Sequence, residues 1–375
     1  MNPHISKIRL TNFKSHISTE LETGNLTLLT GLNSSGKSSL LQSLLLLRQS
    51  HKKGRLKKGL DLNEPLCRLG LAKDVLSIQS TNDMIGIEIY TSKGACYNMQ
   101  FDASDYDSSF IESHEDIEVD VDFSLFSNNF QYISASRWAN LSLYPLDTFA
   151  VEKERQISLK YGQGELLAHY LEYYGENRNF KIETESILHP NHKDDKNLLT
   201  QAIAWEQEIS PRVNFGTKRI GDQISIYYGF DGEGTNEPLK ELKAENIGYG
   251  ISYSLSVVVA LLSATPGSLL LLENPEAHLH PSGQSKLAEL IALTAQSGVQ
   301  VIVETHSDHI FNGIRKAIYS KQLDTNNKSI YFFELGGDNS TIVTPIRLSN
   351  KGKILSYTDN MFDQFDKDLD FLLDI

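Results

Sequence analysis

The sequence predicts an α/β fold with a mostly parallel central sheet and helices on both faces. Short apolar runs at residues 26–30, 269–272 and 299–303 lack polar alternation, as expected of parallel strands buried on both sides. Helical patterns follow them at residues 37–49, 282–295 and 308–319, the strand–helix alternation of such sheets. A glycine-rich turn joins the first strand directly to the first helix.

Residues 5–10 alternate polar and apolar and predict an edge or antiparallel strand. In the helix at 37–49, leucines at 40, 41, 44, 45, 46 and 47 cover most of the circumference, so that helix is expected to be buried. Residues 51–58, dense in Lys and Arg around Gly54, read as a loop. Residues 84–90 and 96–101 predict a hairpin around Ser92-Lys93-Gly94. The acidic stretch 111–122 is expected to be solvated, residues 163–174 to be helical, and residues 187–196, with Pro190 and Asn191, to form a loop.

Residues 253–263 predict an apolar helix ended by Thr265-Pro266-Gly267. Segments 331–335 and 341–346 flank Gly337-Asp338-Asn339, a hairpin signal. The expected organisation is an N-terminal lobe at 1–100, an insertion at 101–225, a C-terminal lobe at 226–335, and a hairpin with a helix at 336–375.

The 375 residues are 40% hydrophobic and 22% charged, enough for a large core. The formal net charge of -13 argues against a protein that coats DNA, which needs a basic face. Cys67 and Cys96 have no metal or redox spacing and read as reduced thiols. Residues 1–13 carry no secretory apolar region, and the apolar stretch 255–272 is broken by Ser256, Ser263, Thr265, Pro266 and Gly267. A cytoplasmic protein with no membrane segment is expected.

The turn after the first strand has the pattern G-x-x-x-x-G-K-S, from Gly31 to Ser38. Gly31 and Gly36 allow backbone N–H groups to face inward and cradle phosphate, and the helix N-terminus adds positive partial charge. Lys37 is expected to reach the β- and γ-phosphates and Ser38 to ligate Mg²⁺. Asn33, Ser34, Ser35 and Ser39 are further expected nucleotide contacts. The 269–272 strand ends in Glu273, which would bring a carboxylate to the metal, and Glu276 follows in the next turn. His306, within Thr305-His306-Ser307 after the 299–303 strand, would sense the γ-phosphate. Gly248-Tyr249-Gly250-Ile251-Ser252 opens a helix, where Gly250 and Ser252 would bind phosphate.

This order of motifs resembles the ABC-type ATPases of the SMC, RecF and OLD group. It is most similar to stand-alone bacterial AAA-type ATPases with ENPEAHLHP and ETHSDHI motifs, of the kind found in anti-phage defence systems. Residues 8–15 look like that group's first strand, with weaker echoes at Ser134-Ala135-Ser136-Arg137, Gly164-Glu165 and Phe362-Asp363-Gln364. The resemblance implies an ABC-ATPase head with an antiparallel N-terminal β subdomain and an α/β insertion. It implies ATP and Mg²⁺ as cofactors and a head-to-head homodimer or higher even oligomer. ATP at Lys37 of one copy would be closed over by residues 248–252 of the other. His278 and His280 would lie in the loop crossing that interface, and Lys14 would contact phosphate. Gln42 and Gln49 are alternative candidates for contacting magnesium.

One departure stands out. Where the group places a second acid after the strand, this chain has Asn274, a poor general base. Glu276 would then substitute, or hydrolysis would be slow. The implied function is an ATP-gated switch that controls a separately encoded effector, a nuclease, in anti-phage defence. The alternatives are a DNA-repair or chromosome-maintenance ATPase that binds DNA directly, or a nuclease whose site lies in the insertion. Lys52, Lys53, Arg55, Lys57 and Lys58 offer a DNA contact or a solvated loop, the loop being favoured. His189 and His192 with Asp194 and Asp195 lack metal spacing. The tail acids Asp363, Asp366, Asp368 and Asp370 accompany an apolar stripe of Phe362, Phe365, Leu369 and Leu372, which predicts an amphipathic helix.

Overall fold

The computed structural model describes residues 3–177, 180–230, 241–358, 361–362 and 364–373, the side chains of 364–366 excepted. Asp363 and the carboxyl of Asp366 therefore lie outside the described residues. In chain order the strands are β1 (Ile5–Phe13), β2 (His16–Glu22), β3 (Leu26–Gly31), β4 (Gly59–Asp61), β5 (Met84–Thr91), β6 (Cys96–Asp102), β7 (Phe110–Glu112), β8 (Phe130–Ile133), β9 (Tyr144–Pro145), β10 (Val213–Ile220), β11 (Gln223–Phe230), β12 (Leu269–Glu273), β13 (Gln300–Glu304), β14 (Lys328–Leu335) and β15 (Thr341–Pro345). The helices are α1 (Lys37–Lys52), α2 (Ala72–Val75), α3 (Leu167–Tyr170), α4 (Leu198–Ile209), α5 (Tyr249–Ser263), α6 (Pro281–Gln296), α7 (Asp308–Tyr319) and α8 (Gln364–Leu372).

The apolar runs become the inner strands of a sheet ordered β15-β14-β3-β13-β12-β8. Its pairs are parallel except for the β14–β15 hairpin. Successive residues of a strand face opposite sides, which explains why the runs are apolar throughout. Leu26, Leu28, Leu270, Leu272, Val301 and Val303 enter one core, with α5, α6 and α7. Leu29, Leu269, Leu271 and Ile302 enter the other, with the leucines of α1. Those six α1 leucines are all fully buried.

An antiparallel sheet, β2-β1-β5-β6-β7-β4, closes the second core over α1. A third sheet, β10-β11-β9, packs with α3 and α4 in the first. The architecture is thus mixed α/β with one parallel and one antiparallel sheet around α1. Residues 130–133, inside the region expected as an insertion, form the β8 edge of the central sheet beside β12. The expected helix at 163–174 is α3 followed by a wider helical coil, Leu171–Asn177. Among the described residues no helix is long and apolar enough to cross a membrane.

Strand order decides where chemistry can occur. In open parallel sheets the crevice forms at the carboxyl ends of the strands. Here β3, β13 and β12 lie side by side, with Glu273 opposite Glu304 and Glu304 opposite Leu29. The end of β3, the acid of β12 and the acid of β13 therefore share one edge.

Candidate nucleotide site

The loop leaving β3 needs glycine for steric reasons. Gly31 has φ 134, and a Cβ there would collide with the Phe333 backbone of β14. Leu32 N–H donates to that same Phe333 carbonyl at 3.1 Å. Gly36 has φ 99, and a Cβ there would press on Thr341 Oγ1 and His16 Nε2. Ser34, at φ 62, shares the left-handed conformation. The loop is thus folded into a cradle between β14 and α1. Lys37 Nζ donates to the loop's own carbonyls, Leu32 O at 2.6 Å and Gly31 O at 3.1 Å. Burial lowers its ammonium below the ordinary lysine value, and the nearby Glu304 charge opposes the shift.

Three carboxyl groups gather at this edge, where Glu304 interacts with the charges of Glu273, Glu276 and Lys37. Glu273 Oε1 accepts the Tyr132 hydroxyl at 3.0 Å and Oε2 accepts Ala135 N–H at 3.3 Å. Glu276 Oε1 accepts His306 N–H at 3.1 Å, which ties the β12 turn to the β13 turn. Glu304 Oε1 accepts the Ser38 hydroxyl at 2.7 Å, while its Oε2 is buried without a hydrogen-bond partner among the described residues. Burial raises all three carboxyls. Glu304 is pushed up to about 7, against its Ser38 hydrogen bond and with help from the Glu273 charge. Partial burial and the Lys37 charge lower the His306 imidazole.

The donor set fits a hard divalent cation. Ser38, Glu273 and Glu304 offer only oxygen, and one of those oxygens is buried and unpaired. Mg²⁺ takes few protein carboxylates and completes its shell with substrate phosphate and water. No group of three or more His, Cys, Asp or Glu among the described residues could hold a metal ion alone.

The second glycine-rich segment is occupied within its own chain. Ser252 is 2% exposed and donates to Asn140 Oδ1 at 2.6 Å. A Cβ on Gly250 would press on the His278 carbonyl, and the His278 ring packs on Tyr249 and Tyr253. The helix N-terminus itself stays open: Gly248 caps α5, nothing lies within 4 Å of a Cβ placed there, and Tyr249 is exposed.

Arg137 links these parts. Its Nε donates to Tyr253 O, Nη1 to Ser134 O and Glu273 O, and Nη2 to Asn274 O and Pro275 O, at 2.8 to 3.1 Å. All five guanidinium N–H groups thus hold backbone carbonyls of the β8 turn, the β12 turn and α5. Asn274 has φ 42 and donates its N–H to Glu304 O at 2.8 Å.

Sequence reasoning passed over Glu304 and Tyr132 and gave Arg137 only as a faint echo. Glu304 was open to the same rule that singled out Glu273, an acid ending an apolar strand. Arg137 carried only that faint signal, because four of its five carbonyl partners are distant in sequence. Other candidates lie elsewhere. Gln49 is spent inside the fold, accepting Leu66 and Cys67 N–H and donating to Asp61 O. Gln42 accepts Lys14 Nζ at 2.7 Å. The basic run pairs with acids of its own chain: Lys52 with Glu154, Lys53 and Arg55 with Asp61, and Lys57 and Lys58 with Asp116. His189 bonds Glu208 at 3.2 Å.

The parallel sheet, the antiparallel sheet over α1 and the loop at the strand ends give the fold of Smc head domains. Two solved structures share the fold. An Smc head bound to the C-terminal winged-helix domain of ScpA matches with a TM-score of 0.53 at 13% identity, covering 92% of this chain and 98% of that one. An Smc head with an extended coiled coil, bound to the C-terminal domain of ScpA and derived from Pyrococcus furiosus, gives 0.51 at 14% identity, with 99% of both chains covered. By residues 26–312 the chain belongs to the family described as "AAA domain, putative AbiEii toxin, Type IV TA system". Residues 323–372 match a second family model, a protein of unknown function, DUF3696. The DNA double-strand break repair Rad50 ATPase of Saccharolobus solfataricus is 31% identical over 106 residues, 28% of this chain and 12% of that protein. The chain thus spans only a small part of that relative.

Proposed function

We propose that this chain binds MgATP at the β3–α1 loop, dimerises head to head on ATP, and hydrolyses it slowly as a switch. Lys37 and the loop N–H groups would hold the phosphates, while Ser38 and Glu273 would hold the metal. Gly250 and Ser252 would shape the α5 N-terminus that closes over the nucleotide of a second copy. His306 would read the γ-phosphate, and Glu276, with one oxygen already held by His306 N–H, would be only a weak stand-in for the base that Asn274 cannot supply, which would keep hydrolysis slow. The observation that carries this reading is the shared edge of β3, β12 and β13, where Lys37, Ser38, Glu273 and His306 converge. The switch would control a separately encoded effector, a nuclease, in anti-phage defence; the family's AbiEii and toxin–antitoxin description points toward that setting.

The direct DNA-binding reading has less support. The basic run is neutralised by its own chain, so it offers few free charges to displace counterions. Sedimentation of the pure protein tests the core of the proposal. With MgATP the mass should double, and with ADP it should not; a monomer under both conditions would refute the dimer.

A further inference from the structure

We infer that Glu304 is a working member of the magnesium–nucleotide site, holding the Ser38 hydroxyl toward the metal and receiving a metal-bound water on its free oxygen. The inference rests on the reading of the β3–α1 loop as an ATP site.

Two observations point to a ligand. Glu304 is 5% exposed, and its Oε2 has no hydrogen-bond partner among the described residues. Leaving a buried carboxyl oxygen unpaired is costly, because it has given up water without gaining a partner. The fold gives that oxygen nothing, so an incoming donor is the natural partner. The second observation is placement. Glu304 Oε1 already accepts the Ser38 hydroxyl at 2.7 Å, and Glu304 sits directly opposite Glu273 in the parallel ladder. Adjacent strands lie about 4.8 Å apart, so both acids reach the same small space beside Lys37.

The geometry defines what Glu304 does. While Oε1 holds the Ser38 proton, the lone pairs of that hydroxyl oxygen are left for the cation. Mg²⁺ keeps several of its waters when it binds through nucleotide, and a water donates well to a carboxylate oxygen. Glu304 therefore acts through Ser38 and through water, as a positioning residue. Glu276 likewise has one oxygen bonded and its Oε2 buried without a partner among the described residues, but its bonded oxygen takes the His306 N–H and not the Ser38 hydroxyl, so it has no hold on the hydroxyl that would meet the metal.

The test measures binding, without turnover. ATP affinity is titrated in EDTA and across a range of Mg²⁺ for the parent, Lys37→Ala, Glu304→Gln and Glu304→Asp. Glu304→Gln keeps the shape and can still accept the Ser38 hydroxyl, so the fold should persist. The expected result is unchanged ATP affinity in EDTA and at least a tenfold higher Mg²⁺ requirement. Glu304→Asp, which keeps the charge, should recover part of that loss. If the Glu304→Gln curves superimpose on the parent while Lys37→Ala weakens binding, this inference falls and the ATP site stands. If Lys37→Ala binds as the parent does, the ATP site itself falls and takes the inference with it.

Discussion

Lys37 illustrates how one side chain can report on a whole loop. In this structure its ammonium is bonded to carbonyls of its own loop, so binding a phosphate exchanges those partners for a charged one. A charge-assisted contact contributes about 1.5–3 kcal/mol. Lys37→Ala should therefore lower ATP affinity roughly tenfold or more, since about 1.4 kcal/mol is tenfold; calorimetric titration reads this directly. Glu206 of α4 makes a separate, residue-level prediction. Its carboxyl is fully buried, takes only the Ser254 hydroxyl at 2.8 Å, and leaves Oε1 unpaired among the described residues. Burial pushes it up to about 8, from a usual value of 4.5. The folded state thus holds a proton that the unfolded chain releases. That advantage is complete below about 4.5 and is lost as pH rises toward 8, at about 1.4 kcal/mol per pH unit at most. Glu206→Gln, which cannot ionise, should lack this slope. Urea unfolding at pH 5.5 and 8.0 should find the variant gaining on the parent at the higher pH; parallel curves would refute the buried proton.

At the scale of elements, Arg137 joins the β8 turn, the β12 turn and α5 through five N–H groups. A lysine there keeps the charge but has only three donors on one nitrogen. Two or more buried carbonyls would lose their partner, at about 1–3 kcal/mol each. Arg137→Lys should therefore cost roughly 3 kcal/mol of stability, seen as a lower urea midpoint. The loop that bears Glu273 and Glu276 would also loosen relative to α5. Such long-range links mark the limit of what the sequence reveals. The strands β3, β12 and β13 were legible because residues apolar on both faces have few other uses. Helices α1, α6 and α7 were legible from their apolar spacing. Strand β2 was not, because its buried positions include the polar residues His16 and Thr19, which lie on opposite faces and hide the period of two. The β10–β11 hairpin turns on Gly221-Asp222, but the outer half of β10, Lys218-Arg219-Ile220, is exposed or nearly so and shows no alternation. Candidate residues inside local motifs could be singled out from the sequence, whereas Arg137, held mainly by distant backbone carbonyls, could not.

For the whole molecule, the open question is whether one copy completes the site of another, and the structure selects the probe. Ser252 is a poor choice: it is buried against Asn140, so a large side chain there would disrupt the fold and give an ambiguous loss. Gly248 is better. It caps α5 in extended conformation, φ -60 and ψ 138, with open space where a side chain would go. Aspartate is a preferred cap and suits the positive helix end, so Gly248→Asp should leave the single chain as stable as before or a few tenths of a kcal/mol more so. In the proposed dimer the same carboxylate would face the γ-phosphate of the other copy. Two unit charges about 4 Å apart at an effective dielectric near 20 repel by about 4 kcal/mol, which is roughly a thousandfold in dimer affinity. The expected pattern is unchanged unfolding, unchanged ATP affinity of the monomer, and loss of ATP-driven mass doubling in sedimentation. Hydrolysis should fall with it. A Gly248→Asp protein that still doubles its mass on MgATP would mean that the α5 N-terminus does not close the site, and that dimerisation, if present, uses another face.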